Sequence, residues 1–199
     1  MSTPALSLLA AALVAAASPG ADEHLLAGAK LFRSGNYAES LVEFRVASRL
    51  GSQEAASYAG AALVKLGRPE DAIEAFGGLE GEGPDALIEY YRAVAAYDAR
   101  LYQAADRLLA AVGGRSGPKV ADQAGKLRAR LAMALADEPS TASIDWYLAR
   151  CAEYRDARRV VLAHAFCTEA AGLSKRRPDH YRSADAERGA TVSSAAVQR

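Results

Sequence analysis

The chain has 199 residues, of which 51% are hydrophobic and 7% are aromatic. This length suffices for a substantial core and favours one domain with short peripheral segments. Because 24 Lys and Arg residues balance 24 Asp and Glu residues, the chain lacks the basic excess typical of nucleic-acid-binding proteins, and we expect no nucleic-acid partner. Abundant alanine and few aromatic residues favour closely packed helices over β-strands.

The first residues have the order of a secretory signal. Residues 6–17 are an uncharged apolar run, and a Ser-Pro-Gly-Ala segment separates this run from the charged Asp22 and Glu23. An apolar stretch, small residues near a cleavage site and then polar sequence is typical of a signal peptide, although no Lys or Arg precedes the run. We predict that residues 1–21 are a signal peptide.

This prediction bears on where the protein acts. A signal peptide predicts export, and the periplasm of a bacterium is the compartment we expect. The alternative is an Ala-rich helix that packs on the first repeat of a cytoplasmic protein. Because the apolar run is shorter than the roughly 20 residues that a transmembrane helix needs, we expect no integral membrane span in the mature chain.

A repeated pattern lies between residues 22 and 113. Gly35 and Phe44 recur 32 residues later as Gly67 and Phe76, and in both copies an apolar helix precedes the glycine and an amphipathic helix follows it. In a third copy, Arg100 occupies the place of the turn glycine. Because arginine has a Cβ atom, a left-handed turn conformation is less expected at this position than at Gly35 or Gly67. The midpoints of the three first helices carry small residues, namely Gly28, Gly60 and Ala93.

These residues resemble the tetratricopeptide repeat family, in which a helix hairpin of about 34 residues repeats. Ser40 and Pro69 depart from the family pattern, where an alanine and an aromatic residue stand. The resemblance implies an all-α fold with three hairpins over residues 22–113, stacked as an α-solenoid. Residues 114–175 are expected to add C-terminal helices.

The C-terminal third allows two interpretations. Residues 144–172 form either one long helix or a degenerate fourth hairpin that turns within residues 155–159. Residues 176–199 are predicted to hold a basic segment, a short helix and a disordered tail. Cys151 and Cys167 distinguish the two interpretations, because one helix would place them about 24 Å apart, whereas a hairpin would bring them within disulfide range. The alternative role for both is that of small buried apolar residues.

The sequence offers no pattern that indicates catalysis. His24, His164 and His180 are scattered without further ligands at useful spacing, so we expect no metal site. No nucleophile motif or glycine-rich phosphate loop is present. The cysteines lack the CxxC spacing of a redox enzyme, which leaves that activity a weak third alternative. We predict a protein that is not an enzyme and needs no cofactor.

The family resemblance implies a binding surface instead. First helices of such hairpins line a concave groove, where a protein or peptide partner docks; the alternative is that the aromatic residues form ordinary core. Carried over by register, the groove residues are Phe32, Arg33, Val64, Lys65, Tyr90, Tyr97 and Asp98.

Two functions follow as hypotheses. The first is a non-catalytic adaptor or scaffold that binds one component of a larger assembly through the groove. The alternative is a structural protein that forms homo-oligomers through its C-terminal helices, which carry Trp146, Tyr147, Leu148, Val161 and Phe166.

Overall fold

The computed structural model describes residues 19–81, 83–112 and 116–176. Over these residues the chain forms nine α-helices and no strand, which confirms the predicted all-α class. The helices are α1 (Pro19–Arg33), α2 (Tyr37–Arg49), α3 (Gln53–Lys65), α4 (Pro69–Ala75), α5 (Ala86–Asp98), α6 (Tyr102–Val112), α7 (Pro118–Leu135), α8 (Thr141–Asp156) and α9 (Val160–Arg176).

Successive helices pair as hairpins. Helix α1 packs against α2, α3 against α4 and α5 against α6. Each second helix also contacts the first helix of the next pair, and the first helices α1, α3, α5 and α7 contact one another in that order. Because each helix buries apolar side chains against at least one other helix, one apolar cluster extends from α2 to α9.

Tight turns join the helices of each hairpin. Gly35, Gly67 and Arg100 have φ angles of 87°, 69° and 64° in the first three hairpins. Arg100 therefore keeps the left-handed conformation that glycine adopts at the other two turns, although this conformation is costly for a residue with a Cβ atom. The turn of the third hairpin therefore has the same backbone conformation as the first two, although its residue is arginine and not glycine.

The small residues midway along the first helices permit close packing. A Cβ atom on Gly28 would lie 2.7 Å from the ring of Phe44, and one on Gly60 would collide with the ring of Phe76. The Ser40 hydroxyl, fully buried in α2, donates a hydrogen bond of 2.9 Å to the Gly28 carbonyl oxygen. A serine suits this position because the hydroxyl finds an acceptor on the facing helix.

A buried ion pair organises the loop between α4 and α5. Glu89 and Arg92 are 1% and 3% exposed, and Arg92 Nη1 lies 2.9 Å from Glu89 Oε1. The Arg92 guanidinium also donates to the carbonyl oxygens of Glu80 and Gly81 at 2.7 and 3.0 Å. The buried guanidinium thus holds these loop carbonyls against α5 while the Glu89 carboxylate balances its charge.

The C-terminal segment is a hairpin and not one long helix. Helix α8 ends at Asp156, and Arg158 adopts a φ of 59° in the turn before α9. Cys151 and Cys167 face each other across this hairpin and form a disulfide with a Cα–Cα distance of 5.3 Å. Helix α9 packs against α4 and α6, so the hairpin lies against the second helices of the second and third pairs.

Ion pairs join this hairpin to α4. The Arg159 guanidinium makes two hydrogen bonds of 3.0 Å with the Glu74 carboxylate and one of 2.9 Å with Asp71. Arg150 donates to Glu70 at 3.0 Å. These side chains are about one-third exposed, so each pair contributes modestly, on the order of 1 kcal/mol or less.

The first described helix extends into the segment that the sequence assigns to a signal peptide. Helix α1 begins at Pro19, and Ala21 is completely buried within it. Residues 19–21, grouped above with the signal peptide, therefore form the first turn of α1. The rest of that segment and the predicted helix and tail beyond Arg176 lie outside the described residues. Within the described ranges, no helix is both long and apolar enough to cross a bilayer.

Candidate binding face

Side chains from three hairpins enclose a small apolar pocket on the side where α1, α3 and α5 lie next to one another. Its volume is about 160 Å³. We call it the aromatic pocket, and its walls are formed by Phe32, Phe44, Tyr58, Leu87, Ile88 and Tyr91.

The hairpin repeat determines which side chains reach this face. Leu26, Tyr58 and Tyr91 occupy equivalent positions on α1, α3 and α5, separated by 32 and 33 residues. Leu26 is 71% exposed beside the pocket helices, whereas Tyr91 is 8% exposed and packs edge-on against Phe32 with ring centroids 5.8 Å apart. The equivalent positions therefore carry an exposed leucine on α1 and packed tyrosines on α3 and α5.

Two cations border the aromatic pocket. Arg33 lies on its rim and is exposed. The Lys65 ammonium lies 5.5 Å from the ring centroid of Tyr91 and 6.0 Å from that of Tyr37. Within the described part of the chain, neither Arg33 nor Lys65 forms an ion pair with a carboxylate. Both positive charges remain available to a ligand.

The phenol groups of the pocket are neutral at physiological pH. Burial raises the pKa of Tyr91 to about 12. Burial and the nearby Asp85 carboxylate raise the pKa of Tyr58 as well. Asp85 itself caps α5, because its Oδ1 atom accepts a hydrogen bond of 2.8 Å from the Ile88 backbone N–H. The acid nearest the pocket is thus already engaged in the helix cap.

Three residues predicted from sequence meet at this pocket. Phe32 forms part of its wall, Arg33 lies on its rim, and Lys65 reaches the ring of Tyr91. Val64 is half-buried and packs against the core. Tyr90 is half-buried beside Tyr91, with ring centroids 5.7 Å apart.

Tyr97 and Asp98 belong to a second group nearer to α7. The Arg130 guanidinium lies 5.0 Å from the ring centroid of Tyr97, which also packs against Tyr102 at 5.6 Å. Partial burial raises the pKa of Asp98, and the Arg130 charge opposes this shift. Of the seven predicted residues, three therefore border the aromatic pocket, Tyr97 and Asp98 belong to this second group, and Val64 and Tyr90 are packed in neither.

Sequence reasoning missed Tyr58, Leu87 and Tyr91. The register of the repeat held a usable signal for Tyr58 and Tyr91, because both align with Leu26. Leu87 gave no comparable signal, since it lies in the first turn of α5 and reaches the pocket only because α5 packs against α3.

The structure has a larger cavity of about 470 Å³ between the C-terminal hairpin and the turns before α4 and α6. Its carboxylates Glu70 and Asp71 pair with arginines of the same cavity, so internal ion pairs use much of its charge. The described residues contain no group of three or more His, Cys, Asp or Glu side chains that could hold a metal ion. The aromatic pocket is the stronger candidate for a peptide side chain because its walls are apolar and because, among the described residues, the two cations that border it have no carboxylate partner.

Comparison of the chain with protein-family models, curated proteins and solved structures finds no match. Its function is therefore inferred from its residues and their geometry.

Proposed function

We propose that this protein is a non-catalytic binding module in which three tetratricopeptide-like hairpins present a groove to a protein or peptide partner. One observation carries the proposal: an aromatic pocket lies on the face of α1, α3 and α5 and is bordered by two cations that pair with no carboxylate of the described residues. Interfaces concentrate their binding energy in such clusters of aromatic and arginine side chains. The tetratricopeptide-like stacking is supported by the spacing of the repeats and by the contacts between successive first helices.

Affinity capture with matched variants tests the proposal. The bait is the purified protein, exposed to an envelope extract, and the groove variant is Lys65→Glu/Leu87→Glu. The control is Val160→Glu, which places a charge on a side chain that is 72% exposed in α9, far in sequence from the groove helices. We expect one partner to be captured by wild type and control and lost with the groove variant. Equal capture by all three proteins contradicts the proposal.

We also propose that the protein works after export to an oxidising compartment such as the bacterial periplasm. The apolar run at the N-terminus and the Cys151–Cys167 pairing support this placement, because disulfides persist mainly outside the reducing cytosol. Fractionation combined with N-terminal sequencing tests it. We expect a shortened chain in the periplasmic fraction, and a full-length chain confined to the cytosol contradicts export.

Self-association through the C-terminal helices is the second candidate. Trp146 and Leu148 favour it, since they are 40% and 50% exposed. Tyr147 and Phe166 do not, because both are buried within their own chain. Light scattering over a range of concentrations distinguishes the candidates: a dimer that Leu148→Glu dissociates supports this second function, and a monomer at all concentrations excludes it.

A further inference from the structure

We infer that the aromatic pocket binds a partner segment in which one large apolar side chain is followed closely by acidic residues. This inference rests on the proposed binding function and names the chemistry of its ligand. Two features of the pocket carry it: the size and apolarity of its interior, and the sign of the charges on one side of its rim.

The interior fits a single side chain. A volume of about 160 Å³ is below the roughly 300 Å³ of pockets that enclose whole small molecules, yet large enough for a leucine or phenylalanine side chain. The rings of Phe32, Tyr58 and Tyr91 come from different helices and are held by packing, so the pocket is formed before a ligand arrives. Preformed pockets of this kind accept an anchor residue at little conformational cost.

The charges around the pocket are unequal. Arg33 and Lys65 both stand at the carboxyl ends of their helices, α1 and α3, and neither has a carboxylate partner among the described residues. On the opposite side, Asp85 is engaged by Ile88 and by the Tyr58 hydroxyl at 3.4 Å. Glu54 lies about 16 Å from Lys65 along α3. A ligand that fills the pocket therefore meets free positive charge on one side.

A partner that carries acidic residues next to its anchor would pair with both cations. Lys65 is held over two tyrosine rings, which restricts its motion and lowers the entropic cost of an ion pair. Basic residues next to the anchor would instead be repelled by Arg33 and Lys65, so the rim discriminates among segments that share the same anchor.

Fluorescence polarisation with three synthetic peptides tests the inference. The first has a central leucine followed by two glutamates, the second has lysines in place of the glutamates, and the third has alanine in place of the leucine. We expect the first to bind wild type at least about tenfold more tightly than either of the others at low salt. Raising the salt concentration should reduce the difference between the first two, because it screens the ion pairs.

Charge reversal supplies the matched control. Arg33→Glu/Lys65→Glu should invert the preference, so that the lysine peptide binds more tightly than the glutamate peptide. Arg45→Glu/Arg49→Glu makes the same change in net charge on exposed positions of α2 and should leave the preference unchanged. Circular dichroism of each variant confirms that it is folded.

Three outcomes overturn the inference. Wild type that binds the glutamate and lysine peptides equally, or prefers lysine, contradicts the acidic ligand. Equal binding of the leucine and alanine peptides contradicts the anchor. A dimer that occupies the pocket, detected by light scattering and blocked by Leu87→Glu, would assign the pocket to a second copy. If capture of a cellular partner still depends on the groove in any of these cases, the proposed function survives and only the ligand chemistry fails.

Discussion

The carboxylate of Glu169 in α9 accepts a hydrogen bond of 2.7 Å from the backbone N–H of Gln103 at the start of α6. It accepts a second, of 3.2 Å, from the N–H of Ala104. The first N–H groups of a helix have no partner within the helix. Glu169 is only 2% exposed. A side chain of the C-terminal hairpin therefore caps a buried helix end of the third hairpin, and this contact holds the two hairpins together.

Loss of this cap should destabilise the protein. Glu169→Ala leaves two buried amide groups without acceptors, and we expect the free energy of unfolding to fall by about 2–3 kcal/mol. Chemical denaturation followed by circular dichroism measures the change. Glu153→Ala is the control: its exposed carboxylate pairs with Arg150 on the surface of α8, so it should cost less than about 1 kcal/mol. Equal losses in both variants would refute the capping role.

Glu169 should also make stability depend on pH. Burial raises its pKa above the ordinary value of 4.5, and the hydrogen bonds from Gln103 and Ala104 oppose this shift. The folded state therefore holds the proton more tightly than the unfolded state does. The stability that this shift in the pKa of Glu169 contributes is present below the pKa of the unfolded state and is lost as the pH rises through the pKa of the folded state.

Glu169→Gln removes this titration. We expect the stability of wild type, measured relative to Glu169→Gln by denaturant titration, to decrease as the pH rises from about 4.5 through the raised pKa of Glu169. A difference between the two proteins that is constant across this range would contradict the expectation.

Two glycine substitutions should have opposite effects. In Gly28→Ala the new Cβ atom would lie 2.7 Å from the Phe44 ring, so we expect a loss of about 1–3 kcal/mol. Gly125 lies in the middle of α7 with open space around it, and Gly125→Ala should stabilise the protein by up to about 1 kcal/mol. Thermal unfolding of both variants checks the signs. A stabilised Gly28→Ala variant would show that α1 and α2 are less closely packed than the structure places them.

Reduction of the disulfide should loosen the C-terminal hairpin. Cys151 and Cys167 are 16 residues apart, and loop entropy assigns such a bond about 3 kcal/mol. We expect dithiothreitol to lower the unfolding midpoint of wild type and to leave that of Cys151→Ser/Cys167→Ser unchanged. A wild-type midpoint that does not respond to complete reduction, verified by thiol titration, would contradict this stabilising role.

Arg92 should contribute more to the free energy of unfolding than Arg107 does. Arg92→Met strips a buried carboxylate and several loop carbonyls of their donor, and we expect a cost of about 3–5 kcal/mol. Arg107→Met removes an exposed ion pair with Glu80 of 3.7 Å and a charge interaction with Glu169, and it should cost less than Arg92→Met does, about 1 kcal/mol. Urea denaturation distinguishes them, and a mild Arg92→Met phenotype would mean that water enters the loop.

Local spacing was sufficient to predict much of the helical framework. Gly35 and Gly67 marked the first two turns, and the helices on either side of them form where the repeat predicted. Arg100 shows the limit of this reasoning, because an arginine adopts the left-handed turn when the packing of α5 against α6 requires it. The left-handed conformation costs a residue with a Cβ atom about 1–2 kcal/mol, which tertiary contacts can offset.

The candidate site was only partly predictable. Phe32, Arg33 and Lys65 could be selected because the family resemblance assigns their positions in the first helices to the groove. Tyr97 and Asp98 have the same register, yet Arg130 of α7 draws them into a separate group. Nothing in the spacing of α5 indicates which side chains a later helix will contact.

Residue spacing was enough to predict a helical protein, the turns of its first hairpins and the two cysteines that could meet, because each follows from the periodicity of a helix or the reach of a short turn. The pocket that Leu87 and Tyr91 complete with Phe32, and the capping of α6 by Glu169, became visible only once the helices were packed together. The physical reason is that local periodicity specifies which stripe of a helix is apolar, whereas the helix that covers the stripe is selected by packing between segments far apart in the chain.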